Sequence, residues 1–275
     1  MSELQRYARK TVLVFGAGSD GEGWSNGKAA AVQYAREGAK VLAVDLRDDA
    51  ATETQEIIRS EGFEATSFAA NAADNASVQE AVAACLDTYG AIDVLHNNVG
   101  IGEMGGPVET TLESWKRVLD VNMKSVFLTT KHVLPIMEAK RAGAIVNISS
   151  IAGIRWSGVS YVGYYASKAG VNQMTRVIAG QYARHGIRCN AIMPGLIDTP
   201  QTYKHLAKHY GDGDFERMRE ARRQQIPMKI LGSAWDIAKT AAFLNSDEAK
   251  YITGEVVTVD GGMSCSMVAP PPQAA

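Results

Sequence analysis

Short apolar runs recur along the chain at Thr11 to Phe15, Val41 to Asp45, Ala65 to Ala70, Val94 to Asn97, Ala144 to Ser149, Cys189 to Met193 and Val256 to Val259. Nearly continuous apolar character of this kind marks strands covered on both faces. Between the runs lie stretches long enough to be crossover helices, among them Lys28 to Glu37, Val78 to Tyr89, Leu112 to Lys140, Tyr164 to His185 and Ala234 to Leu244. The alternation predicts an α/β fold: a doubly wound, seven-stranded parallel sheet with helices on both faces and right-handed crossovers.

No repeat, low-complexity tract or Pro/Gly linker divides the chain, so residues 1–266 read as a single domain. Two stretches fall outside the strand–helix rhythm. Thr202 to Gln225 is polar, basic and helical in pattern, and residues from about 200 to 226 form a candidate lid. Met267 to Ala275, with Pro270, Pro271 and Pro272, reads as a C-terminal tail.

The composition narrows the class of partner. The 275 residues are 46% hydrophobic and 21% charged with a net charge of -2, and the one short basic stretch, near Arg219, Arg222 and Arg223, is no footprint for nucleic acid. Cys85, Cys189 and Cys265 are odd in number and far apart, which suits a reducing cytosol and gives no metal-ligand cluster. His205 and His209 stand four apart but without a nearby carboxylate at ligand spacing, so no metal is expected. Met1 to Lys10 is polar where a secretion signal needs an apolar core, and no window is apolar enough to span a bilayer. The expectation is a cytoplasmic protein that handles a small molecule, without membrane or nucleic-acid partners.

Directly after the first strand stands Gly16-Ala17-Gly18-Ser19-Asp20-Gly21-Glu22-Gly23-Trp24-Ser25-Asn26-Gly27, and then an Ala-rich helix. Glycines let backbone approach a diphosphate, and a helix N-terminus favours its charge. A plain surface turn is the competing reading, which the position between strand and helix weakens. Gly16 and Gly27 are expected to flank the diphosphate, with Ser19 and Asn26 as candidate donors. Asp45 closes the second strand, where a carboxylate accepts the ribose hydroxyls of an adenosine and repels a 2'-phosphate. NAD(H) is therefore expected over NADP(H). Arg47 could rescue a 2'-phosphate, although a solvated surface charge is its ordinary role.

The strongest signal is Gly163-Tyr164-Tyr165-Ala166-Ser167-Lys168, which puts Tyr164 and Lys168 on one helix face. Asn147-Ile148-Ser149-Ser150-Ile151-Ala152-Gly153 precedes it at a strand end. With Asn97-Asn98-Val99-Gly100, Val121-Asn122, Pro194-Gly195-Leu196-Ile197-Asp198-Thr199 and Val259-Asp260-Gly261-Gly262, these motifs follow one another in the order of the short-chain dehydrogenases/reductases. The chain resembles that family over almost its whole length, in the branch with a Tyr-x-x-x-Lys site. The resemblance implies a Rossmann-type domain that moves hydride between a secondary alcohol or ketone and a nicotinamide cofactor.

Carried over by motif, the resemblance makes Tyr164 the general acid/base, Lys168 its electrostatic activator and holder of the nicotinamide ribose, and Ser150 the group that polarises the carbonyl. Asn122 would anchor a proton-relay water. Asn71, Ala72, Asn98, Gly100, Pro194, Ile197 and Thr199 would join the cofactor site. A free tyrosine with a pKa of about 10 is a poor base near neutrality, and an adjacent ammonium favours the phenolate. Ser149 competes with Ser150; side chains on an extended strand alternate, so only one can reach the substrate, and the family's placement of its serine before the glycine, here Gly153, implies Ser150. Tyr165 lies off the Tyr164–Lys168 face and Tyr161 has no lysine four residues on, so packing is the ordinary reading of both. Asn122 could instead satisfy backbone, and Thr199 could merely cap a helix.

The chain departs from the family pattern in places. Phe15 stands where a threonine usually supports the first turn, and the interval from Gly16 to Gly27 is longer than usual, with Trp24 inside it. Asn71 replaces the acidic residue near adenine, though its amide oxygen can still accept. The stretched loop resembles that of the divergent enoyl-thioester reductases, but their Tyr and Lys are further apart than the four residues here. Enoyl-thioester reduction is thus the second reading, and a non-catalytic dinucleotide-binding sensor the third.

Met104, Trp156, Tyr161 and Tyr203, with His205, Leu206 and Met218, are candidates to line the substrate side. Their apolar and aromatic mix suggests a medium-sized secondary alcohol or ketone, cyclic and aromatic ones included. Arg217, Arg219, Arg222 and Arg223 could meet an anionic substrate, but a solvated helix face is the ordinary reading of such a row. The resemblance implies a homo-oligomer, a tetramer or a dimer.

Overall fold

The computed structural model describes residues 5–202 and 214–266. Seven strands form one parallel sheet: β1 (Thr11–Phe15), β2 (Lys40–Asp45), β3 (Ala65–Ala69), β4 (Val94–Asn97), β5 (Gly143–Ile148), β6 (Ile187–Pro194) and β9 (Val256–Val259). Their order is β3-β2-β1-β4-β5-β6-β9, and every neighbouring pair is parallel. The order reverses between β1 and β4, so a crevice opens where the loops after these two strands diverge, the standard ligand position in such sheets.

Alternation along β1 shows how the layers are built. Val12 and Val14 point into one core with α1 (Asn26–Arg36) and α8 (Ala234–Asn245), whereas Leu13 and Phe15 point into the other with α3 (Asn75–Tyr89) and α5 (Ser125–Lys140). The remaining crossovers are α2 (Asp48–Ser60), α4 (Leu112–Leu119) and α6 (Val162–Tyr182). Asp48 and Asp49 in the first turn of α2 complement its helix dipole.

The sequence pattern predicts one helix over Leu112 to Lys140, and here the structure differs. A π-helical turn, Asp120–Lys124, separates α4 from α5 and carries the fully buried Asn122. The extra residue re-aims that side chain from the helix axis into the interior, which periodicity alone does not announce. Beyond the main sheet, β7 (Ile197–Asp198) pairs in parallel with β8 (Gly232–Ser233), and α7 (Phe215–Gln224) belongs to the expected lid. Tyr203, His205, Leu206, His209 and the tail from Met267 lie outside the described residues. No helix among the described residues is long and apolar enough to cross a membrane.

Candidate active site

The glycine-rich loop closes by direct backbone approach. Gly16 has φ +80°, and its N–H, like that of Ala17, donates to the Val44 carbonyl. A Cβ on Gly27 would fall inside the contact radius of the Gly16 carbonyl oxygen and 2.6 Å from Asn98 Nδ2, so α1 starts hard against the first turn. Asn98 Nδ2 donates to that same carbonyl at 3.0 Å, joining the loops after β1 and β4. Where the family's threonine is replaced by Phe15, the hydroxyl of Thr54 on α2 donates to the Ala17 carbonyl at 2.8 Å and supports the turn from the other side.

The lengthened part of the loop is pinned by Trp24. Its ring packs 4.7 Å from that of Trp235 on α8 and 5.4 Å from the Lys28 amine, which pairs with Glu53 at 2.7 Å. Ser25 caps α1 by accepting from Lys28 N at 3.0 Å and donates to the Gly18 carbonyl at 2.6 Å. Gly18 is the loop residue closest to Asp45: its N–H donates to Asp45 Oδ2 at 2.9 Å, and a Cβ there would meet the carboxylate. Arg47 donates from its guanidinium to the Ser19 carbonyl at 2.6 Å and from its backbone to Asp45 Oδ1 at 3.2 Å.

These residues fit a dinucleotide. Ser19 Oγ and Asn26 Oδ1 are buried polar atoms with no partner in the protein, the condition expected of groups awaiting a polar ligand. Asn71 and Ala72 follow β3 beside Asp45, whose carbonyl accepts from Ala70 N at 2.8 Å. The Asn71 amide oxygen, however, accepts from Ala73 N at 3.0 Å, so in this conformation it is occupied in its own turn.

Ser150, Tyr164, Lys168, Asn98, Gly100, Pro194, Ile197, Thr199, Asn26 and Tyr161 line one cleft. The Ser150 hydroxyl stands close enough to the Tyr164 phenol to draw its proton affinity down. Ser150 Oγ also accepts from Ala152 N at 3.2 Å, which fixes its side chain at the start of a 3₁₀ turn. The hydroxyl of Ser149 is committed elsewhere, donating to the Lys168 carbonyl at 3.1 Å. Tyr165 accepts from Ser157 N at 2.9 Å and donates to the Val159 carbonyl at 3.1 Å, so it holds the loop before α6.

Lys168 is almost wholly buried, with Nζ donating to the Ile148 carbonyl at 2.9 Å and lying 5.6 Å from the Tyr164 ring centre. Burial pushes its amine down to about 8. The expectation of a depressed phenol does not hold in this conformation: burial raises Tyr164 above its usual range, the Ser150 hydroxyl draws it back, and Tyr165 adds to the rise. Desolvation penalises any charge placed here, phenolate and ammonium alike. Asn122 Oδ1 accepts from Ile101 N at 2.7 Å, and its Nδ2 donates to the Ile101 carbonyl at 2.9 Å and to Ser167 Oγ at 3.0 Å. It therefore fixes the loop after β4 as well as standing near Lys168, since a Cβ on Gly100 would lie 3.1 Å from Lys168 Nζ and 3.4 Å from Asn122 Oδ1.

Thr199 is nearly buried and shares a 3.3 Å hydroxyl contact with Thr202. Tyr161 faces Tyr164 with ring centres 6.1 Å apart. The exposed Met104 and Trp156 are not brought into the cleft, and Met218 is fully buried on the inward side of α7 rather than lining it. Arg222 corrects the solvated-face reading of its helix. Arg219 and Arg223 are exposed and pair with Asp198 and Glu220, whereas Arg222 is buried, lines the cleft and donates to the Ile197 carbonyl at 3.4 Å. Met218, Arg222 and Ile226 recur every four residues, and all three are buried. Met263 also enters the lining, its carbonyl accepting from the Arg155 guanidinium. Among the described residues no cluster of three or more His, Cys, Asp or Glu side chains is placed to hold a metal.

Known proteins share this arrangement of chain. The family model described as enoyl-(acyl carrier protein) reductase matches residues 22–264. A solved structure from Burkholderia xenovorans, described as a short-chain dehydrogenase/reductase, is 44% identical, with 96% of this chain and 99% of that one covered at a TM-score of 0.92. The 3-oxoacyl-[acyl-carrier-protein] reductase FabG of Thermotoga maritima is 36% identical over 94% of this chain and 99% of its own. Levodione reductase of Leifsonia aquatica is 36% identical over 96% of this chain and 98% of its own.

Proposed function

The chain belongs to the short-chain dehydrogenase/reductase family, and from that premise we propose that it is an NAD(H)-dependent oxidoreductase interconverting a secondary alcohol and a ketone, with Tyr164 as general acid/base. The observation that carries this reading is that Ser150, Tyr164 and Lys168 line one cleft, with the Lys168 amine 5.6 Å from the centre of the Tyr164 ring. Members of the family bind a nicotinamide cofactor, which supplies or accepts the hydride when bound.

The chain's own residues manage protons and orientation. In reduction, the raised phenol of Tyr164 stays protonated and hands its proton to the oxygen that gains charge, while Ser150 donates a hydrogen bond to the same oxygen. Lys168 offsets the charge left on Tyr164 and offers its ammonium to the nicotinamide ribose. Asn122, anchored to Ile101 and Ser167, holds the relay water that refills the proton. Gly16, Ser19, Asn26 and Gly27 would hold the diphosphate, Asn71 and Ala72 would border the adenine, and Asn98, Gly100, Pro194, Ile197 and Thr199 would surround the nicotinamide half. Asp45 supports NAD(H) over NADP(H), because a 2'-phosphate would meet a carboxylate already fixed by Gly18 and Arg47 N–H groups.

Tyr161 borders the reacting position and favours a ketone with an apolar body. The names of two relatives, 3-oxoacyl-[acyl-carrier-protein] reductase and levodione reductase, support the reductive reading. The exposed Leu112 on α4 and Phe127 on α5 suit an assembly of two or four copies. The test is a panel of ketones, secondary alcohols and one enoyl thioester with NADH, NAD, NADPH and NADP in parallel. Ketone-dependent NADH oxidation with little NADPH use is the expected result. Turnover of the enoyl thioester alone overturns it, as does cofactor binding without turnover of any substrate, which is the behaviour of a sensor.

A further inference from the structure

We propose that Met263 sets the steric limit of the substrate beside the reacting carbonyl, so that the enzyme takes ketones unbranched at the neighbouring carbon and rejects those branched there; the inference rests on the alcohol–ketone reading above. Met263 lines the cleft together with Ser150, Tyr164 and Lys168. It packs against a small core cluster formed by Ile151, Ala191, Met193 and Val256. Ile151 directly follows Ser150 in the 3₁₀ turn, and Met193 directly precedes Pro194 at the end of β6. Met263 therefore stands on the Ser150 side of the cleft.

The turn that presents this side chain is fixed from several directions. Gly261 and Gly262 have φ of +62° and +91°, left-handed conformations that suit glycine, and they turn the chain after β9. Asp260 accepts from Gly262 N at 2.9 Å through one carboxylate oxygen and from Ser264 N at 2.6 Å through the other. Gly195 N donates to the Val259 carbonyl at 2.9 Å, and a Cβ on Gly195 would lie 2.6 Å from that of Asp260, so the turn is seated on the loop after β6. From the segment that follows Ser150, the Arg155 guanidinium donates to the carbonyl of Met263 itself. With its backbone held in this way, Met263 has only the rotamers of its thioether arm with which to yield to a larger substrate.

The position of this wall decides what it measures. The diphosphate belongs with Ser19, Asn26 and Gly27, and the adenine with Asn71 and Ala72, whereas Met263 is held by Arg155 and packs on Ile151, both from the segment after Ser150. Ser150 is the group that meets the reacting oxygen, so bulk beside Ile151 is felt at the carbons attached to the carbonyl rather than at the far end of the molecule. Ile101, Val159 and Leu196 share the lining and are apolar as well. An apolar wall discriminates by shape, and one methylene more or less in such a pocket changes the rate by about 10- to 200-fold.

The experiment compares two isomeric ketones, 2,2-dimethylcyclohexanone, branched beside the carbonyl, and 4,4-dimethylcyclohexanone, branched across the ring from it, using NADH and the full chain as native enzyme, Met263→Ala, Met263→Phe and Arg155→Met. The native enzyme is expected to prefer the 4,4 isomer in kcat/KM, and Met263→Ala to raise the 2,2-to-4,4 ratio about 10-fold or more. Met263→Phe should lower the ratio, and Arg155→Met, which frees the Met263 carbonyl, should move it in the direction of Met263→Ala. NADH affinity, read by cofactor fluorescence, and thermal melts accompany each variant. If Met263→Ala melts below the assay temperature, Met263→Phe and Arg155→Met decide by the same ratio. A ratio that stays at the native value in the folded variants overturns the inference while the alcohol–ketone reading stands. An equal loss on both isomers overturns it in favour of packing within the core cluster. An NADH affinity about tenfold weaker, with the ratio fixed, overturns it in favour of a wall of the nicotinamide site. If the native enzyme turns over no ketone or alcohol at all, the functional reading fails and takes the inference with it.

Discussion

The Lys168 amine sits 5.6 Å from the centre of the Tyr164 ring while donating at 2.9 Å to the Ile148 carbonyl. The end of β5 thus sets the distance between a cation and the phenol whose proton it governs. Lys168 is buried, and its helix turn is locked by the Ser149 hydroxyl on the Lys168 carbonyl.

Replacing Tyr164 with Phe removes the proton donor and leaves the ring. Turnover should fall by about 10³-fold, the scale of lost general acid–base catalysis. NADH affinity, measured by fluorescence titration, should change little. Unaltered kcat in this variant would sink the catalytic assignment.

The pH dependence follows from Lys168, whose amine is pushed down to about 8 by burial. It carries charge below about pH 8 and loses it above, so ketone reduction should be steady at lower pH and decline as pH rises through about 8. For stability the sign is the opposite: between the folded value and the ordinary lysine value of 10.5, the unfolded chain binds more protons, so this group makes the fold more stable as pH rises through that window. Denaturation midpoints from pH 7.5 to 10.5, native against Lys168→Met, measure it; a slope difference of the other sign would contradict the burial.

Gly27→Ala puts a methyl group against the Gly16 carbonyl and Asn98 Nδ2. Overpacking of this kind costs about 1–3 kcal/mol or more. A lower melting temperature together with weakened NADH binding is expected, because the same contact seats α1 under the diphosphate loop.

Asp45→Asn removes the charge but keeps an acceptor for the Gly18 N–H. The NADH-to-NADPH ratio of kcat/KM should fall by about 10-fold or more, the scale of a charge-assisted hydrogen bond to a ribose. A ratio that stays fixed would show that another residue sets the preference.

Asn122→Ala severs both backbone bonds to Ile101 and the bond to Ser167. Three lost bonds at a fully buried site predict a stability loss of about 2–3 kcal/mol and faster amide exchange at Ile101. A variant with native exchange at Ile101 would remove Asn122 from its positioning role.

The strand runs were legible because sheet strands covered on both faces must be apolar, and the boundaries found for β1 and β4 are those that the pattern gives. Tyr164 and Lys168 were legible because four residues is one helix turn. The π-helical turn at Asn122 was not, since it adds a residue without changing composition. Nor was the support of the first glycine turn by Thr54, which comes from a helix nearly forty positions away in sequence and so leaves no local signal. Arg222 was visible as one of a row of arginines, but a row of like residues does not say which one faces inward.

By itself the sequence determined the layers of the fold, the crevice end and the sharing of one helix face by Tyr164 and Lys168, because hydrophobic period and short-range spacing are properties of the chain, whereas Ser150 was implied by the resemblance to the family. Tertiary structure alone decided how far each group is desolvated, which loop glycine meets Asp45, and that Arg222 rather than Arg219 enters the cleft. Those outcomes depend on which distant segments pack together, and burial, the quantity that sets both the proton affinities and the charge of the cleft, exists only once they have.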